Sequence, residues 1–142
     1  MIKLIRFLYS TMLFSLLGIW FWSNFFIGWS RFCGVTKTIR LARRLARAFP
    51  LQEELLDSFS KKADLLLCCL PFFFLDRKQG CLIRGFLLYF YGKRLGLNVR
   101  LHFGSQWKQG KLRNHCWIVQ QGVIRYEVEE VIRDYVTIIE YC

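Results

Sequence analysis

The 142-residue chain has six cysteines, Cys33, Cys68, Cys69, Cys81, Cys116 and Cys142, yet no Cys-x-x-Cys pair and no evident secretory signal ending in a small-residue cleavage site. These absences point away from a disulfide framework and toward reduced thiols in a cytoplasmic compartment. A glycine-rich phosphate loop is also missing, because Gly92-Lys93-Arg94 lacks the preceding glycine spacing of a Walker motif. Acidic residues are scarce: 10 Asp and Glu stand against 21 Lys and Arg, for a net charge of +11. Such a balance ordinarily suggests nucleic acid, but 54% of residues are hydrophobic and 18% aromatic. A membrane or an acidic peptide is therefore the expected partner, not nucleic acid. The length allows one domain of modest core, with an extra segment.

No charge occurs from Phe7 to Ser30, with Lys3 and Arg6 before the run and Arg31 after it. About 20 apolar residues suffice to cross a bilayer as a helix, so residues 1–30 are expected to hold a membrane helix, with Trp20, Trp22 and Trp29 near its C-terminal end. A core helical hairpin broken near Ser23-Asn24 is the alternative. In a spanning arrangement, the excess of cations after the run places the remainder on the cytoplasmic face. Residues 31–75 read as a helical region. Within it Arg40, Arg43, Arg44 and Arg47 recur at spacings of three and four, opposite Leu41, Leu45 and Phe49, and Pro50 ends the helix. This arginine face is either simply solvated or a docking face for a substrate, a partner or anionic lipid. A further helix follows from Leu51, and Cys68 and Cys69, in an apolar run without nearby His or acid, belong to the core.

The third region, residues 76–142, carries the chemistry. Gly80 opens a helix whose residues Leu82, Ile83, Phe86, Leu87, Leu88, Phe90 and Tyr91 leave almost no polar face, and Gly96 caps it. Leu97, Val99, Leu101 and Phe103 then alternate with Asn98, Arg100 and His102, the period of a half-buried strand with His102 on the surface. Cys81 thus stands at a helix N-terminus, where the dipole and free N–H groups lower a thiol pKa. It is a candidate nucleophile; the alternative is a small buried hydrophobe.

Beyond Gly104, residues 105–114 read as a polar connector with its turn at Gly110, followed by strands His115–Val119 and Val123–Val128. A three-residue loop Gln120-Gln121-Gly122 pairs His115 with Glu127 and Trp117 with Arg125. A carboxylate beside an imidazole fixes its tautomer and stabilises the imidazolium, which leaves the other ring nitrogen for Cys81. Zinc is a poor fit: His115 and Cys116 point to opposite faces of one strand, and the usual ligand-pair spacings are missing. No metal or cofactor is expected.

Cys81-Leu82-x-Arg84, the helix end Lys93-Arg94-Leu95-Gly96-Leu97, the strand closing on Gly104, and His115-x-Trp117 together resemble the transglutaminase-like leader peptidases of lasso-peptide biosynthesis, the B proteins. The match covers residues 76–130. The resemblance implies an α+β fold of papain/transglutaminase type, with a Cys helix packed on a small antiparallel sheet, preceded by N-terminal helices. It implies a thiol protease that removes the leader from a ribosomal precursor peptide, with Cys81 as nucleophile, His115 as base and acid, and Glu127 where the family has Asp. Gly85 replaces the motif's Ser and Cys116 its Ala. The partners so implied are the precursor peptide, a separate leader-recognition domain protein, an asparagine-synthetase-like cyclase and an exporter; some relatives need ATP, although no ATP site is visible here. The rival readings are a thioester-forming acyltransferase with an amine acceptor and a non-enzymatic membrane adaptor.

Overall fold

The computed structural model describes residues 16–46, 54–69 and 80–142, with side chains over 18–46, 57–65 and 80–142. Within them lie five helices and a four-stranded antiparallel sheet, an α+β arrangement. The helices are α1 (Leu16–Cys33), α2 (Val35–Leu45), α3 (Glu54–Cys69), α4 (Gly80–Arg94) and the short α5 (Glu129–Ile132). The strands are β1 (Val99–Lys108), β2 (Lys111–Gln120), β3 (Val123–Arg125) and β4 (Val136–Tyr141), in the order β3-β2-β1-β4.

Helix α4 is the element on which the others pack. Its residues Gly85 through Gly92 are all buried, as the lack of a polar face requires. Helices α1, α2 and α3 and strands β1 and β2 all contact it. Trp22 and Phe26 of α1 meet Phe90 at ring separations of 4.7 and 5.1 Å, and Phe59 of α3 stacks on Tyr91 at 3.9 Å. Two glycines let the sheet approach closely. A Cβ at Gly92 would lie 2.8 Å from Val99, and one at Gly85 would lie 2.7 Å from the Cys116 sulfur. The helix stops at Gly96, φ +75°, where Leu97 N–H bonds to Gly92 O and Gly96 N–H to Lys93 O, a Schellman cap.

Helix α1 runs unbroken through Ser23 and Asn24, whose side chains bond back to the carbonyls of Ile19 and Trp20. The hairpin alternative is thereby corrected. Of the proposed spanning segment, residues 7–15 lie outside the described residues. Among those described, no helix is long and apolar enough to cross a membrane. In α2, Thr38, Ile39 and Ala42 are buried while Arg40, Arg43 and Arg44 are exposed; Arg47 lies outside the described residues. The core assignment of Cys68 and Cys69 falls outside the described side chains.

Three sheet expectations need correction. Residues 105–114 are not a connector: they extend β1 and β2 into one long hairpin turning at Gln109-Gly110. Its far end stands in solvent, with Trp107 72% exposed, so no face is buried and no alternation marks it. The second hairpin has a two-residue turn, not three. Gln121 and Gly122 both have positive φ, 51° and 83°, and Gln120 pairs with Val123, which puts Arg125 opposite Ile118 instead of Trp117. Finally, His102 is not on the surface. Its side chain is 15% exposed, because Trp117 and Glu140, its direct partners on β2 and β4, flank it, the latter at 3.8 Å.

Candidate functional site

Cys81 lies in the first turn of α4, half-buried, against the middle of β2. On β2, Cys116 faces the helix: its Sγ donates to the Cys81 carbonyl at 2.9 Å. The neighbouring His115 comes within hydrogen-bonding reach of the Cys81 thiol. Its Nε2 lies 3.4 Å from Glu127 Oε1, so Nδ1 is the ring nitrogen left for sulfur. The structure thus brings together Cys81 of α4, His115 of β2 and Glu127 of the bend after β3.

The route by which Glu127 arrives differs from the one expected. With Val119 paired to Ile124, a continued ladder would set His115 across from residue 128. Strand β3 ends at Arg125 instead, and Tyr126 turns with φ +63°. That left-handed step redirects the chain and swings the Glu127 carboxylate to the imidazole. Its conformation costs on the order of 1 kcal/mol for a residue with a Cβ. The Tyr126 hydroxyl, donating to Asp57 Oδ1 at 2.7 Å, ties the bend to α3.

Two further residues hold the carboxylate. Arg84, one turn beyond Cys81 on the same helix, donates from Nη1 to Glu127 Oε1 at 3.0 Å. Its Nε and Nη2 both donate to Asp64 of α3. Asp64, Arg84, Glu127, His115 and Cys81 therefore form one chain of polar contacts. Sequence reasoning quoted Arg84 only as part of a motif and missed Asp64. The spacing of three between Cys81 and Arg84 was the available signal, since it places both on one side of the helix.

The electrostatics follow from these contacts. The Cys81 thiol is pulled down to about 4, first by hydrogen bonding from Cys116 and then by His115, against the opposing effect of burial. His115 is raised to about 9 by its contacts with Cys81 and Glu127. The Cys116 thiol, facing a thiolate in a buried place, is pushed well above its usual range. Cys116 has only one proton, and the short contact directs it at the Cys81 carbonyl; once Cys81 ionises, the thiolate is the stronger acceptor. Near neutral pH the arrangement is a thiolate beside an imidazolium. A cavity of about 570 Å³ opens onto Cys81 and His115.

No protein-family model, curated protein or solved structure matches the chain. The site must therefore be read from its own chemistry.

Among the described residues no cluster of three or more His, Cys, Asp or Glu side chains is placed to hold a metal ion. His102 lies near the Trp117 side of the sheet, its pKa lowered by burial, and is not among the groups around Cys81. The Cys116 sulfur occupies the volume that a side chain at position 85 would need. Volume absent at Gly85 on the helix is filled by Cys116 on the strand, one exchange of volume across the α4–β2 contact.

Proposed function

We propose that the chain is a cysteine peptidase whose core is of the papain/transglutaminase type. The observation that carries this reading is the thiol of Cys81 at a helix N-terminus within reach of His115, whose other nitrogen faces Glu127 at 3.4 Å. The thiolate attacks the scissile carbonyl, and free N–H groups of the first helical turn face the developing oxyanion. His115 passes its proton to the leaving amine as the C–N bond breaks, which leaves a thioester on Cys81. Water then attacks the thioester with neutral His115 as base, and Cys81 departs as thiolate. Glu127 holds the imidazole in the productive tautomer throughout.

The substrate proposed is the leader-bearing precursor of a ribosomal peptide, as the resemblance to the lasso-peptide B proteins implies. A separate recognition protein would then present the leader. The exposed Arg40, Arg43 and Arg44 are the proposed docking face for a partner or for anionic lipid on the cytoplasmic side of a membrane.

Incubating the full chain and its Cys81→Ala variant with precursor and recognition protein, followed by intact mass, tests the proposal. Cleavage to free leader and core by the native chain alone supports it. Equal cleavage by both, or none where an active relative cuts the same precursor, overturns it.

A further inference from the structure

Six apolar side chains wall the cavity beside Cys81: Val35 at the start of α2, Leu82 of α4, Phe103 of β1, and Ile138, Ile139 and Tyr141 of β4. Although the chain carries 31 charged Lys, Arg, Asp and Glu residues, 21 basic and 10 acidic, none of these lines the cavity among the described residues. Two pairs of polar side chains in the wall bond to each other. Thr36 Oγ1 bonds to the Tyr141 hydroxyl at 3.0 Å, and Ser105 Oγ bonds to Asn114 Oδ1. Beyond these pairs and the Cys81–His115 pair, the wall offers the Asn114 amide nitrogen but no Lys, Arg, Asp or Glu among the described residues. A charged side chain entering here would lose hydration with no Lys, Arg, Asp or Glu in the wall to pair with it, whereas an apolar one would gain about 25 cal/mol for each Å² it buries.

Ile138 and Ile139 strengthen the point. They are 64% and 46% exposed on β4, an outer strand of the sheet, where natural sheets favour charge over bulky hydrophobes. Both face the same cavity as the nucleophile. The volume, about 570 Å³, is within the range of about 300–1,000 Å³ usual for ligand sites, room for a bulky side chain with its flanking backbone.

We infer that this cavity is the specificity pocket of the site and takes a large apolar side chain, aromatic or branched aliphatic, of the residue beside the attacked carbonyl, to the exclusion of charged ones. The inference rests on the cysteine-nucleophile reading of Cys81.

Covalent labelling separates the two. The full chain is treated with iodoacetamide and, separately, with the chloromethyl ketones of acetyl-Phe, acetyl-Leu, acetyl-Lys and acetyl-Asp, and labelling of Cys81 is followed by peptide mass. In the ketone reactions a C–S bond forms as C–Cl breaks and chloride leaves. Each ketone rate is expressed relative to the iodoacetamide rate of the same protein. The Phe and Leu reagents are expected to lead both Lys and Asp by roughly tenfold or more, the scale of discrimination that a hydrophobic pocket provides. A mere field from the +11 charge would instead favour Asp over Lys and leave Leu between them. Ile139→Lys should lower the relative Phe rate and raise the relative Asp rate. Cys81 labelled by iodoacetamide with no side-chain preference, or with only the Asp-over-Lys order, overturns the pocket alone. Cys81 labelled no faster than the other cysteines by any reagent overturns the nucleophile reading, and the pocket with it.

Discussion

Arg84 and His115 address the same oxygen of Glu127: the guanidinium donates to Oε1 at 3.0 Å, and the imidazole Nε2 lies 3.4 Å from it. The helix that carries Cys81, the proposed nucleophile, therefore also positions the carboxylate beside His115, the proposed base. A carboxylate pinned from two sides loses little freedom when the imidazolium forms.

Replacing Arg84 by Met should release Glu127 and lower activity roughly tenfold or more, with the basic limb of the pH profile moving down as His115 loses its held carboxylate. Arg84→Lys should restore part of the activity, because it keeps the charge but not the fork that also grips Asp64. A basic limb that stays in place or rises would show that Arg84 only neutralises.

The pH dependence follows from the directions of the two shifts. Cys81 is lowered to about 4 and His115 raised to about 9, so kcat/KM should be flat across neutral pH. It should fall on the acid side as the thiolate is protonated and on the alkaline side as the imidazolium loses the proton meant for the leaving amine. In Glu127→Gln the alkaline limb should move down, with a rate loss of roughly 100-fold or more. Profiles centred on an ordinary thiol, with a single rise above pH 8, would contradict the ion pair.

Cys116 supplies the leading hydrogen bond to Cys81, so Cys116→Ala should raise the Cys81 pKa above its value of about 4. Iodoacetamide labelling rates between pH 3 and 9 read this directly. An unmoved midpoint would mean that Cys116 donates to the Cys81 carbonyl in both ionisation states.

Gly85→Ser should destabilise the fold by about 1–3 kcal/mol, because its Cβ would meet the Cys116 sulfur at 2.7 Å. Combining it with Cys116→Ala should recover most of that loss, a coupling that urea denaturation of the two single variants and the double variant would measure. Additive losses would dismiss the volume exchange.

Tyr126→Phe removes the hydroxyl that anchors the bend before Glu127 to Asp57. Activity should fall while the acid limb, set by Cys81, stays in place. Tyr126→Gly should retain more stability than Tyr126→Ala, since only glycine adopts φ +63° without strain. Equal melting temperatures for those two variants would argue against strain at the bend.

Much of the site was legible because it is local. Cys81 at a helix start, the cap at Gly96, the alternation through Leu97–Phe103 and the turn at Gly110 each depend on residues within a turn or two of one another. The pairing of His115 with Glu127 was reached through a loop length that the chain does not use. The outcome agrees because the left-handed step at Tyr126 offsets the one-residue difference in register. Residues 105–114 escaped detection as strands because neither of their faces is buried, and residues 129–142 carried no strand assignment although β4 pairs along β1.

Local pattern by itself determined the buried helix α4, the thiol at its N-terminus and the imidazole on a following hairpin, since burial periodicity and turn chemistry act over a few residues. Only the tertiary structure decided that the left-handed step at Tyr126 brings Glu127 to the imidazole, that Asp64 and Arg84 brace the carboxylate, that Cys116 fills the space over Gly85, and that β4 walls a cavity at Cys81 lined, among the described residues, by no Lys, Arg, Asp or Glu. The last three join residues 20 to 60 positions apart, and their geometry is set by how α3, α4 and the sheet pack, which no local spacing records.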